Sequence, residues 1–341
     1  MLTARLHAIG DLRVHDEPTV DQSGAAQPGW STVAVTSVGI CGSDLHWFIE
    51  GGTGENKLVH PVVPGHEFAG VALSGPLAGR RVAVDPAINC QECEWCRAGR
   101  GNLCPAVRFA GHETVDGALQ ERLSWPDRLL HVLPDSVSDD AGALLEPLGI
   151  AIHAVELGRV RLGADALVVG AGPIGVLATQ VARRAGAQRV FVSEPLAHRR
   201  ATVISRGADD AWPPDVAAGA LADATGGRGV DVVIEMAGTD AAIATAVGGA
   251  RPGARVVLGG IPSHPLSSFP AAEARRKGLT FAMVRRAHGT IPQAITLATG
   301  GIDLDALVTA RYPIGQAAEA FVAAADRTGD KTVIAVGSSV G

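Results

Sequence analysis

Apolar positions along the chain fall into two textures. Up to about residue 140 they come in short alternating runs separated by turn residues: STVAVTSVGI (31–40), VVPGHEFAGVAL (62–73), GRRVAVDPAI (79–88) and LQERLSW (119–125). Alternation with period two predicts half-buried strands, so this part reads as mostly β. The pattern then changes. ALLEPLGIAIHAVELGRV (143–160) has helical spacing of apolar residues, with Asp139 and Asp140 near its start. Strands next alternate with helices: DALVVG with PIGVLATQVARRAG (165–186), QRVFVSE with PLAHRRATVISRG (188–207), GVDVVIEMAG with DAAIATAVGGA (229–250), and then ARVVLGG (254–260). Uniformly apolar strands between helices predict a parallel sheet covered on both faces, hence an α/β domain. The tail, AAEAFVAAADRTGDKTVIAVG (317–337), reads as one helix and one strand that could close either domain.

Composition narrows the picture. At 341 residues the chain exceeds the size at which one core usually keeps growing, so two domains are expected. Hydrophobic residues at 47% and charged residues at 19% describe a compact folder and not a disordered chain. A net charge of −6 argues against nucleic acid and anionic membrane as partners. The uncharged stretch 166–182 is too short to span a membrane, which takes about 20 apolar residues, and glycines and a proline interrupt it. MLTARLHAIGDLRVHDEP has no basic-then-apolar leader and reads as the first strands of a domain, so a cytoplasmic location is expected. In a reducing compartment clustered cysteines are metal ligands or redox groups more often than disulfides.

The turn VVGAGPIG carries G-x-G-x-x-G as Gly170, Gly172 and Gly175, with Pro173 and Ile174 inside it. A strand ends at the first glycine and a helix begins just after. Gly170 permits the turn, Gly172 lets a pyrophosphate approach the backbone, and Gly175 lets helix and strand pack closely. The helix N-terminus then offers free N–H groups to phosphates. Glu194, at the end of the next strand, is placed to accept hydrogen bonds from ribose hydroxyls and to repel a 2′-phosphate. NAD is therefore favoured, with NADP possible because His198, Arg199 and Arg200 follow and could receive that phosphate.

Four of the five cysteines, Cys90, Cys93, Cys96 and Cys104, share one loop with spacing C-x2-C-x2-C-x7-C. Thiolates this close can converge on one tetrahedral zinc, leaving no open position, so the expected ion is structural. A thioredoxin-like redox pair would sit at a strand-to-helix junction, and a nucleic-acid zinc ribbon would be strongly basic. Glu92 and Glu94 instead offset Arg97 and Arg100. The fifth cysteine, Cys41 in VGICGSDLHWF, is followed 25 residues later by His66 and Glu67 in PGHEFAG. A thiolate, an imidazole and a carboxylate suit a zinc site that keeps one position open.

VGICGSDLHWF, PGHEFAG, the four-cysteine loop, LLEPLGIAIHA and VVGAGPIG occur in this order. Together they resemble the zinc-dependent medium-chain dehydrogenases, in the polyol branch that includes sorbitol, xylitol and L-idonate dehydrogenases. The resemblance implies a GroES-like β domain over 1–145, continued by 287–341, and a Rossmann doubly wound parallel-sheet domain over 146–286. It also implies that Cys41 and His66 hold a catalytic Zn2+, with Glu67 or Glu146 as the third ligand. One thiolate and one carboxylate leave Zn2+ neutral, whereas a second direct carboxylate would weaken it as a Lewis acid, so one glutamate at a time is expected on the metal. Ser43 and His46 match the family's proton relay, and Trp47 its pocket aromatic. Arg286, with Arg285 as a register rival, matches an arginine over the substrate. The segment HETVDGAL (112–119) is short for the family and leaves the pocket's far wall undefined. L-idonate, interconverted with 5-ketogluconate, is the expected substrate. Sorbitol, xylitol or L-threonine dehydrogenase chemistry is the alternative, and a non-catalytic cofactor-binding relative is the reading from a different class. The resemblance further implies a homodimer or homotetramer.

Overall fold

A computed structural model of the chain describes residues 1–18, 27–53, 56–112 and 114–337; Glu113 of the HETVDGAL segment lies outside them. The described chain divides into two compact units. One comprises Met1–Glu146 with His288–Gly341, the other Pro147–Ala287.

The first unit is built on a seven-stranded sheet. In order it runs Leu130–Val132, Arg81–Val84, Glu67–Ala72, Trp30–Gly39, Lys331–Ala335 and Val308–Pro313, with Arg122–Pro126 also paired to Trp30–Gly39. Trp30–Gly39 is the organising strand. Its first half alternates between buried and half-buried positions, and its second half is buried throughout, because several strands pair with it. The tail closes this unit: Lys331–Ala335 runs antiparallel to Trp30–Gly39 and parallel to Val308–Pro313. A core of Val33, Val35, Phe68, Trp125, Phe321 and their neighbours fills one side.

The second unit is a six-stranded sheet in the order Asp210–Trp212, Arg189–Ser193, Asp165–Val169, Val230–Glu235, Ala250–Leu258 and Thr280–Met283. Every pairing is parallel. Strand order reverses beside Asp165–Val169, the arrangement that opens a ligand crevice at the carboxyl ends of the strands. All five residues of Asp165–Val169 are buried, as a strand covered on both faces requires. The fold is therefore a β unit plus a parallel-sheet α/β unit, in keeping with the GroES-like and Rossmann domains that the resemblance implies.

Sequence and structure differ in places. VVPGHEFAGVAL is a strand only over Glu67–Ala72, since Pro64 and the positive φ of Gly65 (98°) break it just before His66. VGICGSDLHWF contains a helix, Gly42–Glu50, for which Cys41 is the N-cap. The helix read over 143–160 spans Leu145–Gly158, preceded by a separate turn at Asp139–Ala143. Among the described residues no helix is long and apolar enough to cross a membrane.

Candidate metal centre and dinucleotide turn

Cys41 and His66 meet because strand and helix ends deliver them to one place. Trp30–Gly39 ends just before Cys41, and Glu67–Ala72 pairs antiparallel beside it, with Gly39 opposite Glu67. The ligand atoms of Cys41, His66 and Glu67 all lie within 4.8 Å of one another. Glu146 stands outside this group of three.

The surroundings hold each group in place. Asp44 is buried; its Oδ2 accepts the Cys41 N–H at 3.0 Å and its Oδ1 lies 3.3 Å from His66 Nδ1. With Nδ1 turned to a carboxylate, Nε2 is left as the ligand nitrogen, the usual arrangement for a metal-bound imidazole. The buried Ser43 places its Oγ 3.4 Å from that Nε2. Glu67 is 1% exposed, and Lys331 Nζ, on a side chain only 3% exposed, reaches its Oε2 at 2.5 Å. The same ammonium donates to the Ile40 carbonyl at 2.8 Å. Glu67 Oε1 makes no hydrogen bond among the described residues.

Charge follows from this packing. Burial works against an imidazolium at His66, yet Asp44 and Cys41 outweigh it and hold the group well above its usual range. Burial likewise opposes the Lys331 ammonium, and Glu67 and Cys41 more than compensate. Burial pushes the Glu146 carboxyl up to about 8; nearby His66 opposes the rise and Glu67 adds to it. Soft thiolate, imidazole and a carboxylate oxygen without a partner form a donor set that fits a zinc ion.

Trp47 and His46 lie on the helix Gly42–Glu50. Trp47 is 1% exposed. His46 Nδ1 is 3.1 Å from Glu50 Oε1, one helical turn on. Arg286 is half-buried with a φ of +52°, whereas Arg285 is exposed. Both belong to the second unit.

The thiols of Cys90, Cys93, Cys96 and Cys104 also lie within 4.8 Å of one another, and none forms a disulfide. Cys90 Sγ is 3.9 Å from Cys96 Sγ and 3.5 Å from Cys104 Sγ. Backbone N–H groups of Cys93 and Glu92 pull the Cys90 thiol down to about 6. Loss of solvent and the neighbouring thiols push Cys96 up to about 12. Four reduced thiols converging this closely fit a cation among four sulfurs.

In the second unit the three glycines of the turn do different work. Gly170 has φ +94°, which only glycine adopts without strain. A Cβ on Gly175 would lie 1.9 Å from the Gly170 carbonyl oxygen, so the helix could not close on the strand. A Cβ on Gly172 would meet nothing nearer than Arg199 Nη1 at 3.7 Å. Space therefore opens at the N-terminus of the helix Pro173–Arg184, with a guanidinium beside it. Glu194 is buried, and its carboxylate accepts the N–H of Ala171 at 2.7 Å and of Leu196 at 2.9 Å. It thus holds the turn itself in shape. Arg200 is occupied with the carbonyls of Glu194 and Pro195, which leaves Arg199 as the arginine at the turn.

The chain belongs to the zinc-binding dehydrogenases: residues 173–300 match the zinc-binding dehydrogenase family and residues 27–135 the alcohol dehydrogenase GroES-like domain. It is 36% identical over 332 residues to the sorbitol dehydrogenase of Macaca fascicularis, covering 94% of this chain and 91% of that one. It is 34% identical over 344 residues to the probable D-xylulose reductase A of Neosartorya fischeri, covering 97% and 95%. The structure of L-idonate 5-dehydrogenase from Escherichia coli is similar with a TM-score of 0.86 and 25% identity, covering 98% of each chain.

Lys331 and Asp44 carry weight at the site that the motifs do not show. Asp44 sits inside CGSD and Lys331 inside DKTVIAVG, yet neither segment says that its charge is buried.

Proposed function

We propose that the protein oxidises a secondary alcohol of a polyol of the sorbitol or xylitol type, with NAD as the preferred dinucleotide. The observation that carries this reading is the convergence of Cys41, His66 and Glu67 within 4.8 Å, next to the buried Ser43. Cys41, His66 and Glu67 would hold the catalytic zinc, and the four-cysteine loop would hold the structural one. When bound, the zinc makes an alcohol hydroxyl a stronger acid and the dinucleotide accepts hydride.

The protein's own groups do the rest. Lys331 neutralises the far oxygen of Glu67, so the site carries one thiolate and one balanced carboxylate. Glu146 lies outside the group of three and adds no second direct carboxylate. Ser43 Oγ would take the alcohol proton as it gives up its own, and His46, oriented by Glu50, would release a proton to solvent once the ribose hydroxyl of a bound dinucleotide bridges the two. Trp47 lines the pocket. Gly172 and Arg199 receive the pyrophosphate, and Glu194 fixes the turn that presents them.

L-idonate is the second reading. It is supported by the E. coli structural neighbour and by Arg286, whose left-handed backbone is the kind of strain often kept at binding sites. The higher identities belong to the sorbitol and xylulose enzymes, which puts the polyol first. The test is NADH and NADPH production by zinc-loaded protein with sorbitol, xylitol, L-idonate and L-threonine. Turnover of a neutral polyol above L-idonate is expected. Absence of turnover on every alcohol would favour a cofactor-binding protein without catalysis.

A further inference from the structure

His112 packs against the ring of the metal ligand His66. Its ring centroid lies 5.5 Å from that of His66 and 5.7 Å from that of Trp47, edge-on to both, and 5.0 Å from Phe109. His66 and Trp47 are buried, whereas His112 is half-buried, so it stands where the site passes from protein interior to solvent. Its place is fixed by backbone. Gly111 turns the chain with φ +74°, and a Cβ there would be 2.9 Å from the Gly65 N. The Gly117 N–H donates to Val63 O at 2.6 Å and the Ala118 N–H to Gly65 O at 2.8 Å. The loop is therefore clamped on the segment leading into His66, and His112 cannot drift from the metal ligand.

A second observation concerns Trp47. Its Nε1–H is buried and makes no hydrogen bond among the described residues. A buried donor without an acceptor is unfavourable, so this indole is a polar group held beside His112 at a cost.

We propose that His112 is a specificity-determining residue that hydrogen-bonds the substrate oxygen next to the reacting carbinol, selecting vicinal diols over simple alcohols. The inference rests on the function proposed above and names the substrate feature that this site reads. A neutral imidazole offers one donor and one acceptor, which matches a hydroxyl, whereas a carboxylate only accepts. A site built to bond a hydroxyl rejects the analogue that lacks it, because its polar groups are then left unpaired.

The test compares (2R,3R)-butanediol with 2-butanol, which differ by that one hydroxyl, in wild type and in His112→Phe. Phenylalanine keeps the ring contacts and removes both nitrogens. The diol should lose about 10- to 100-fold in kcat/KM, mostly through KM, while 2-butanol stays within about threefold. Zinc content by metal analysis should not change. His112→Gln or His112→Asn should restore part of the diol preference. In parallel, calorimetry should show the diol binding the zinc- and NADH-loaded wild type more tightly than the Phe variant. Equal loss on both alcohols, loss of zinc, or no change on either overturns the role of His112. Should wild type turn over no alcohol at all, the proposed function fails, and the calorimetric comparison still decides whether His112 contacts the diol.

Discussion

Removing Lys331 is the sharpest perturbation of the metal centre. Its side chain and that of Glu67 are 3% and 1% exposed, and their charges are 2.5 Å apart. Lys331→Met keeps the length of the side chain and deletes the charge. It also deletes the hydrogen bond to Ile40 O. Taking away one member of a buried pair leaves the other uncompensated, at a cost of about 3–5 kcal/mol. With an m-value of about 3 kcal/mol/M, the urea midpoint of metal-free protein should fall by about 1 M or more. Metal-free protein is needed because a bound cation would itself stabilise the abandoned Glu67. Glu67→Gln alone should also destabilise, since it strands the ammonium. The double variant should be more stable than the sum of the two losses allows, by about 2 kcal/mol or more in the double-mutant cycle. A Lys331→Met loss below about 1 kcal/mol, or additive losses in the cycle, would refute the claim that this pair organises the site.

Four further outcomes are expected. His46→Gln should slow polyol oxidation with zinc content unchanged, checked by steady-state kinetics and metal analysis. Gly172→Ala should fold, having no atom within 3.6 Å of the new methyl, yet bind NADH about tenfold or more weakly by fluorescence titration; Gly175→Ala should lower thermal stability as well, because its methyl meets the Gly170 carbonyl at 1.9 Å. Cys104→Ser should remove one zinc per chain, measured by metal analysis, and make the protein less resistant to heat. Asp231 gives a pH signature. Burial alone would raise its carboxyl, but Arg228 and Arg251 hold it well below the usual range. Its folded-state value thus lies below the unfolded one, so its contribution is complete above about pH 4 and is lost as pH falls further. The stability difference between wild type and Asp231→Asn should shrink in acid unfolding below about pH 4.

Much of this was legible in the residues where chemistry and backbone are local. The turn from Gly170 to Gly175 declares itself because strand, glycines and helix are consecutive, and each glycine answers a separate steric demand. The four-cysteine loop is equally local, since spacing alone brings its sulfurs together. What stayed hidden depends on distant contacts. Nothing in DKTVIAVG shows that its lysine is buried, because that follows from the last strand pairing with Trp30–Gly39 near Glu67. The helix Gly42–Glu50 is hard to read since a cysteine occupies the capping position. His112 looks like an ordinary loop residue until Gly111 turns it toward Trp47 and His66. Between Glu67 and Glu146, open by charge counting alone, the structure groups Glu67 with Cys41 and His66.

The proposed function requires a zinc ion on a lone thiolate, Cys41, apart from the ion of the four-cysteine loop. Zinc X-ray absorption on fully loaded protein tests it directly. The chain has five cysteines, so two ions share five thiolates and the average should be about 2.5 sulfur neighbours per zinc, the remainder being nitrogen or oxygen. An average near four, with one zinc per chain, would mean that Cys41 and His66 hold no metal, and the dehydrogenase mechanism proposed for this site would fall.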